Sequence, residues 1–531
     1  MSASDKKQQR KLEEAAELSA REQEQKQKEA QRKRNTIIYT IIGVVVVILA
    51  AILLIWDSGV FQRNATVATI DGEKVTPAQV AFHYYNNDLA TLAANYAQYG
   101  LTMPYSPSES AEDQTIEAAD IEEWASFDIF MDESYVGKTY HDYFLDAALE
   151  SLRAEYAVLA AAEEAGYTLS KLGETKVDSE MDNLESTVET YLSYGYNFNT
   201  KTYLKQVYGK HMTEKAFRTC VENAELASEY YTSNLKDFAD YSDAELEAYY
   251  EEHTNDLDSV HFYFRVYDGT AASTKDDEGN TVEPTDEQTA AAMAKAKADA
   301  DAEAEAVKGN LSAVEGNEDY TEQKGHLSTT TSFYYDWVMD PARQAGDVNV
   351  FEGTGSYYVV VFSDRFRDES ATADVRHILV EAKNEDDPTT ADVNESAQAP
   401  TDEVFAAAEK KAQELLEQWK SGEATPVSFG LLANEYSADT GSNTNGGLYS
   451  AVAPGNMIGN FNDWVFAEGR QAGDTGLVKN TESYVQGWHV IYYQGANEPI
   501  WKISARDAMW AEEVADTMEI VRTDKLDSAI G

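Results

Sequence analysis

The sequence predicts an α+β protein: a single N-terminal transmembrane helix, a mostly helical region behind it, and two tandem α+β units toward the C-terminus. The first of three observations is residues 36–56, TIIYTIIGVVVVILAAILLIW, 21 residues without a charge. At 1.5 Å per residue such a run spans a hydrocarbon core of about 30 Å. The second is that helix-capping signals and aromatic stripes at helical spacing dominate from about 65 to 255. The third is an internal repeat. Asp336-Trp337-Val338 with Arg343-Gln344-Ala345-Gly346-Asp347 returns as Asp463-Trp464-Val465 with Arg470-Gln471-Ala472-Gly473-Asp474. The offset is 127, and eight of twelve positions are identical. Two copies are too few for a solenoid, so the expectation is a tandem duplication.

Residues 1–35 hold ten Lys/Arg and seven Asp/Glu, ending in Arg32-Lys33-Arg34 against the apolar run. Positive charge beside a span stays cytoplasmic, so the tail is expected inside. The rest of the chain carries −56 of the total −53 and is expected outside the cytoplasm. A cleaved signal peptide would offer a shorter apolar core and a small-residue site, which Ile55-Trp56-Asp57-Ser58 does not. The expected location is the cell membrane, single-pass, held by 36–56. Ninety-five acids against 42 bases disfavour a nucleic-acid partner. The lone Cys220 excludes an internal disulfide framework, and eight scattered histidines show no ligand spacing. No metal and no cofactor are expected.

Beyond the span, Asp71-Gly72 between short apolar runs is a hairpin signal. Thr76-Pro77-Ala78-Gln79 then opens a helix with an N-cap, a first-turn proline and a third-position Gln. Its aromatic stripe (Phe82, Tyr84, Tyr85, Tyr96, Tyr99) reads as core. Further helices are expected over 143–166 and 213–235 and from the Ser242-x-x-Glu245 capping box. Each repeat copy begins with a β-rich run (260–266, 375–380) and continues through an acidic linker (268–285, 384–401). An alanine-rich helix follows from Asp286 or Asp402, and a β-rich run closes the copy (357–362, 488–493). A last amphipathic helix is expected over 500–521. Its Trp501, Met509, Trp510, Val514, Met518 and Val521 are too apolar for a free tail.

The second copy carries the chemistry. It reads Val375-Arg376-His377-Ile378-Leu379-Val380, then Phe429 through Glu435-Tyr436-Ser437-Ala438-Asp439, then Asn445-Gly446-Gly447-Leu448. Gly455-Asn456-Met457, Phe461 and Phe466 follow, and last comes Gly487-Trp488-His489-Val490-Ile491. In this order the segments, over about 374–497, resemble a parvulin (PpiC-type) peptidyl-prolyl cis/trans isomerase domain. More loosely, about 65–255 resembles the chaperone domain of PrsA/SurA-like extracytoplasmic foldases. The resemblance implies a four-stranded antiparallel sheet with helices in each copy. It also implies His377 and His489 side by side with Asp439 as the polar set, and a proline pocket on Leu448, Met457 and Phe461. Gln486 stands where a small hydroxyl residue is common, and Gly446-Gly447-Leu448-Tyr449 departs from the usual Gly-Asp-Leu-Gly. The alternative for the histidines is satisfied strand core, with Asp439 a turn acid.

The expected organisation is a charged tail (1–35), the span (36–56), a helical chaperone domain (57–255), a degenerate parvulin-like domain (256–367), a parvulin domain (368–499) and a terminal helix packing on the chaperone domain (500–531). The first copy lacks the Tyr-Ser-x-Asp run. Its His261 has no fixed register with His377, and Tyr358 or a neighbour falls where His489 lies. The function implied is a membrane-anchored foldase that isomerises X-Pro bonds in unfolded or secreted polypeptides. A non-enzymatic holdase and an acidic cell-surface scaffold with a vestigial parvulin fold are the rivals.

Overall fold

The computed structural model describes Lys6–Lys7, Arg10–Lys11, Thr40, Val44–Val47 and residues 60–530 apart from 99–100, 126, 128, 276–280, 283, 328–332, 385–399 and 482–484. Among these residues no helix is long and apolar enough to cross a membrane. This corrects two expectations, the single transmembrane helix in the fold class and the single-pass cell-membrane location. A span needs about 20 continuous helical residues. Of 36–56 only Thr40 and Val44–Val47 are described. The remainder of that segment and most of the 1–35 tail lie outside the described residues.

The helical region begins with strands β1 (Ala68–Ile70) and β2 (Glu73–Val75), joined through Asp71 and Gly72 at φ 48° and 81°. Both angles are positive, as a tight twisted hairpin requires. Thr76 and Gln79 form a reciprocal cap on α1 (Pro77–Tyr85). The expected long aromatic helix is in fact two, because the Asn87 side chain accepts from Leu89 N at 3.0 Å and starts α2 (Asp88–Gln98) afresh. Tyr99 lies outside the described residues. Then come α3 (Tyr140–Glu164), α4 (Lys171–Ser193), α5 (Thr200–Val207), α6 (Glu214–Phe238) and α7 (Asp243–Glu252). Helix α3 starts three residues ahead of its expected bound because Thr139 and Asp142 cap each other's backbone. Tyr140, Phe144, Leu149, Leu152 and Trp124 are fully buried with Ile70 and Val75.

Two α+β units follow with one topology. The first comprises β3 (Ser259–Asp268), α8 (Asp286–Val307), β4 (Thr321–His326), α9 (Tyr335–Met339), β5 (Val348–Gly353) and β6 (Ser356–Phe366). Its antiparallel sheet runs β4-β3-β6-β5. The second comprises β7 (Ala371–Glu381), α10 (Asp402–Ser421), α11 (Pro426–Tyr436), β8 (Leu448–Val452), α12 (Gly459–Val465), β9 (Thr475–Asn480) and β10 (Gly487–Pro499). Its sheet runs β8-β7-β10-β9. The repeated Arg-Gln-Ala-Gly-Asp makes the same turn twice: Asp347 and Asp474 each accept from the backbone N of their Gln at 3.0 Å.

The terminal helix α13 (Ile500–Thr517) is shorter than its expected 500–521. Ile520–Arg522 instead form β11, which pairs antiparallel with β1 through Thr69 and Val521 and satisfies that strand's free edge. Trp501, 2% exposed, packs with Leu246, Tyr250 and Leu257. Trp510 lies against Val158, Ala162 and Tyr230. Arg506 donates to the Ala239 carbonyl at 2.6 Å. Truncation before Ile500 is therefore expected to lower the melting temperature of the whole helical region, followed by near-ultraviolet circular dichroism. An unchanged transition would show that these contacts carry little of its stability.

Candidate functional site

Strand β7 is central and its side chains alternate between two faces. Ile378 and Val380 face α10 and α11, whereas Val375 and His377 face α12. His489 on β10 pairs with Leu379 and shares the face of His377. The two imidazoles stand nearly parallel, 5.1 Å between centroids, with Nδ1 to Nδ1 at 2.9 Å. Both are buried. The fully buried Phe461 on α12 meets each ring edge-on, at 5.4 Å and 5.3 Å.

Helix α11 delivers the carboxylate. It ends at Tyr436, and the Ser437 hydroxyl accepts from Leu379 N, tying the following loop to β7. Asp439 Oδ2 then lies 2.8 Å from His377 Nε2. Ser442 and Tyr449 donate their hydroxyls to the same oxygen, Tyr449 at 3.0 Å. The loop returns through Gly447, whose carbonyl accepts from His377 N at 2.8 Å. A Cβ on Gly447 would stand 2.1 Å from the His377 carbonyl oxygen, and its φ is +67°, so this approach needs glycine.

The hydrogen-bond pattern fixes the tautomers. The His377 N–H, with the Ser442 and Tyr449 hydroxyls, holds the Asp439 carboxyl well below the usual carboxylate range against the opposing effect of burial. An ionised carboxylate only accepts, so His377 Nε2 carries the hydrogen. In the neutral ring its Nδ1 then accepts from His489 Nδ1–H. His489 Nε2 is left as a buried lone pair without a partner. Burial, and secondarily the neighbouring His377, push the His489 imidazole down to about 3, so it stays neutral in the folded protein at physiological pH.

The linkage has a definite sign. The His489 pKa is below its unfolded value of about 6.5, so between those pH values the unfolded chain binds the extra proton. Stability is complete above about pH 6.5 and falls on acidification, by up to about 1.4 kcal/mol per pH unit for one proton. Asp439, also depressed, adds a loss below about pH 4. His489→Phe is expected to flatten the slope of unfolding free energy between pH 6 and 4 in urea titrations. An unaltered slope would mean that His489 does not titrate on unfolding.

The structure brings His377, Asp439, His489 and Phe461 together, and Met457 is half-buried in the same cluster. It does not bring Leu448. Leu448 pairs with Arg376 and shares its face, where both line a separate cavity of about 510 Å³ beside α6. Tyr449 faces the histidines in its place. Gln486 donates to the Thr481 carbonyl within the β9–β10 turn. Ser442 and Tyr449 were not legible as site residues. Their only signals were a hydroxyl three residues after the acid and an aromatic at the departure from the glycine motif. Among the described residues no group of three His, Cys, Asp or Glu could hold a metal ion.

The first copy is carbocyclic at the same place. Gly346 N donates to the Phe362 carbonyl as Gly473 N does to that of Tyr493. The closing strands therefore correspond at an offset of 131, which matches Tyr358 to His489 and, through the sheet register, Phe264 to His377. Tyr334, Phe264 and Tyr358 form the corresponding triangle, with centroids 6.2 to 6.4 Å apart. His261 is bound elsewhere, to Glu322 at 2.8 Å.

Residues 357–495 match the model of the PPIC-type PPIase domain. Foldase protein PrsA 3 of Bacillus cereus is 36% identical over 83 residues, 16% of this chain and 26% of the relative. The chain thus spans about a quarter of that curated relative. Crystal structures of the peptidylprolyl isomerase PrsA from B. cereus and B. anthracis align at 23% and 14% identity. They cover 30% and 70% of this chain and 56% and 90% of theirs, each with a TM-score of 0.17, too low to bear on the fold. The matched segment contains the imidazole pair, the carboxylate that anchors it and the apolar wall of Phe461, and so the chain carries a PpiC-type, or parvulin, peptidyl-prolyl isomerase domain.

Proposed function

We propose that the protein is a foldase that catalyses cis/trans isomerisation of X-Pro bonds in unfolded polypeptides, secreted ones included. His377, Asp439 and His489 form its polar set, and Met457 and Phe461 form the apolar cup for the proline ring. The observation that supports this most is the anchored imidazole pair against a fully buried Phe461.

The chemistry asks little beyond this. The C–N partial double bond sets a barrier of about 18–20 kcal/mol. Twisting the bond breaks the resonance, moving electron density from the carbonyl oxygen back to nitrogen, with no covalent intermediate. An apolar cup that holds the ring, beside a fixed polar network in a site sheltered from water, favours the twisted state over the planar ones. The imidazole pair supplies fixed dipoles, that of His489 at no ionisation cost, and Asp439 orients them. The first copy, with Phe264 and Tyr358 in place of the imidazoles, has the surface without the network and is assigned no catalysis.

The test is the refolding of a protein whose slow phase is prolyl isomerisation. Substoichiometric full-length chain should accelerate that phase, and His489→Ala should remove most of the acceleration. A slow phase unchanged by the wild-type chain would overturn the reading. Substrate charge follows from the edge of β7. Glu381-Ala382-Lys383-Asn384 offers a single base, and a phosphate brings about −1.5 to −2 charges. Unphosphorylated Ser-Pro peptides should therefore have the higher kcat/KM at physiological salt. A preference for phosphoserine-Pro would contradict this.

A further inference from the structure

We propose that Tyr449 is a positioning residue of this isomerase, its hydroxyl fixing Asp439 and its ring closing the proline cup where Leu448 turns away. The inference rests on the isomerase reading above. It starts from the register of β8. Leu448 pairs with Arg376 and Tyr449 with Val375, so Tyr449 shares the face of the histidines. The strand is irregular between Tyr449 and Val452, with Ala451 at φ 50°. Asp374 Oδ1 accepts from Ala451 N at 2.8 Å and pins that irregularity. The half-buried phenol therefore has little choice of direction. Its ring stands 5.4 Å from His377, tilted by 40°, and its hydroxyl reaches Asp439.

Asp439 is where the network is most constrained. Oδ2 takes His377 Nε2 at 2.8 Å, the Ser442 hydroxyl and the Tyr449 hydroxyl at 3.0 Å, while Oδ1 takes only Gly441 N at 3.3 Å. The groups facing this carboxylate are thus His377 from β7, with His489 behind it on β10, Tyr449 from β8, and Ser442 and Gly441 from its own loop. Ser442 belongs to Asp439's own loop, which Ser437 and Ala438 tie to Leu379 of β7, so Tyr449 is the donor that holds the carboxylate itself from a second strand, independently of His377. Loss of the phenol hydroxyl would remove one of the three donors on Oδ2 and let the carboxylate rotate about its own side-chain bonds, loosening its alignment with His377 Nε2. Each donor also favours the ionised carboxylate, so removing one moves its titration toward higher pH.

The test separates hydroxyl from ring. Steady-state kinetics on a neutral X-Pro peptide, from pH 4 to 9, would compare the full-length wild type with Tyr449→Phe, Tyr449→Leu, Asp439→Asn and Tyr449→Phe/Asp439→Asn. Tyr449→Phe should lower kcat roughly three- to tenfold, the size of one charge-assisted hydrogen bond partly backed up by others. KM should hold. Tyr449→Leu should also raise KM. In the Asp439→Asn background, Tyr449→Phe should have no further effect. A Tyr449→Phe enzyme with wild-type kcat would overturn the proposal. So would a loss of equal size with and without the carboxylate. A wild type without activity would instead refute the isomerase reading, before any variant is compared, and this inference with it.

Discussion

His377→Ala in the full-length chain should lower kcat/KM for X-Pro isomerisation by roughly 10²-fold, the effect of removing one fixed polar group from a water-poor site. The imidazole links Asp439 to His489, bonded to them at 2.8 and 2.9 Å. Its loss leaves the carboxylate on Ser442 and Tyr449 alone, cut off from His489, and leaves His489 Nδ1–H without its acceptor, so the network is broken in two. The same ring fills core, so stability must be measured alongside. A variant that keeps its urea midpoint and its wild-type rate would show that the pair is strand core with no part in the reaction.

Phe461→Ala should cost about 3–5 kcal/mol of unfolding free energy, the range for deleting a buried phenylalanine ring. Phe461 is wholly buried and contacts both imidazoles edge-on at interplanar angles of 89° and 85°. It also packs with Val375, Val465 and Ile491 and closes the cup. The substitution leaves a cavity in the core behind the proposed proline cup. KM should rise in whatever fraction remains folded. A loss under about 1 kcal/mol would mean that the cluster collapses into the space and that Phe461 is not the rigid wall described here.

The parts of this arrangement that local rules control were legible in the sequence. Asp71-Gly72 and the Thr76–Gln79 cap depend only on neighbours in the chain, and the hairpin and helix stand there. His377 and His489 were paired by the family resemblance, and the register of β7 and β10 sets them on one face. What depends on long-range register was not legible. Leu448 and Tyr449 differ by one position, and one position reverses the face. The strand irregularity that decides between them is pinned by Asp374, 77 residues away. Ile520–Arg522 read as the end of a helix because their partner, β1, lies some 450 residues earlier in the chain. The apolar run 36–56 satisfied a length rule, and most of it lies outside the described residues.

The central claim is tested most directly by exchange NMR on an unmodified X-Pro peptide, with the full-length chain at a small fraction of the peptide concentration. Uncatalysed exchange takes tens to hundreds of seconds, too slow for cross-peaks between cis and trans signals at sub-second mixing times. The account predicts that those cross-peaks appear with the wild-type chain and vanish with His377→Ala. Peptide signals that broaden on binding while cis and trans remain unexchanged would contradict it, and would make the protein a holdase.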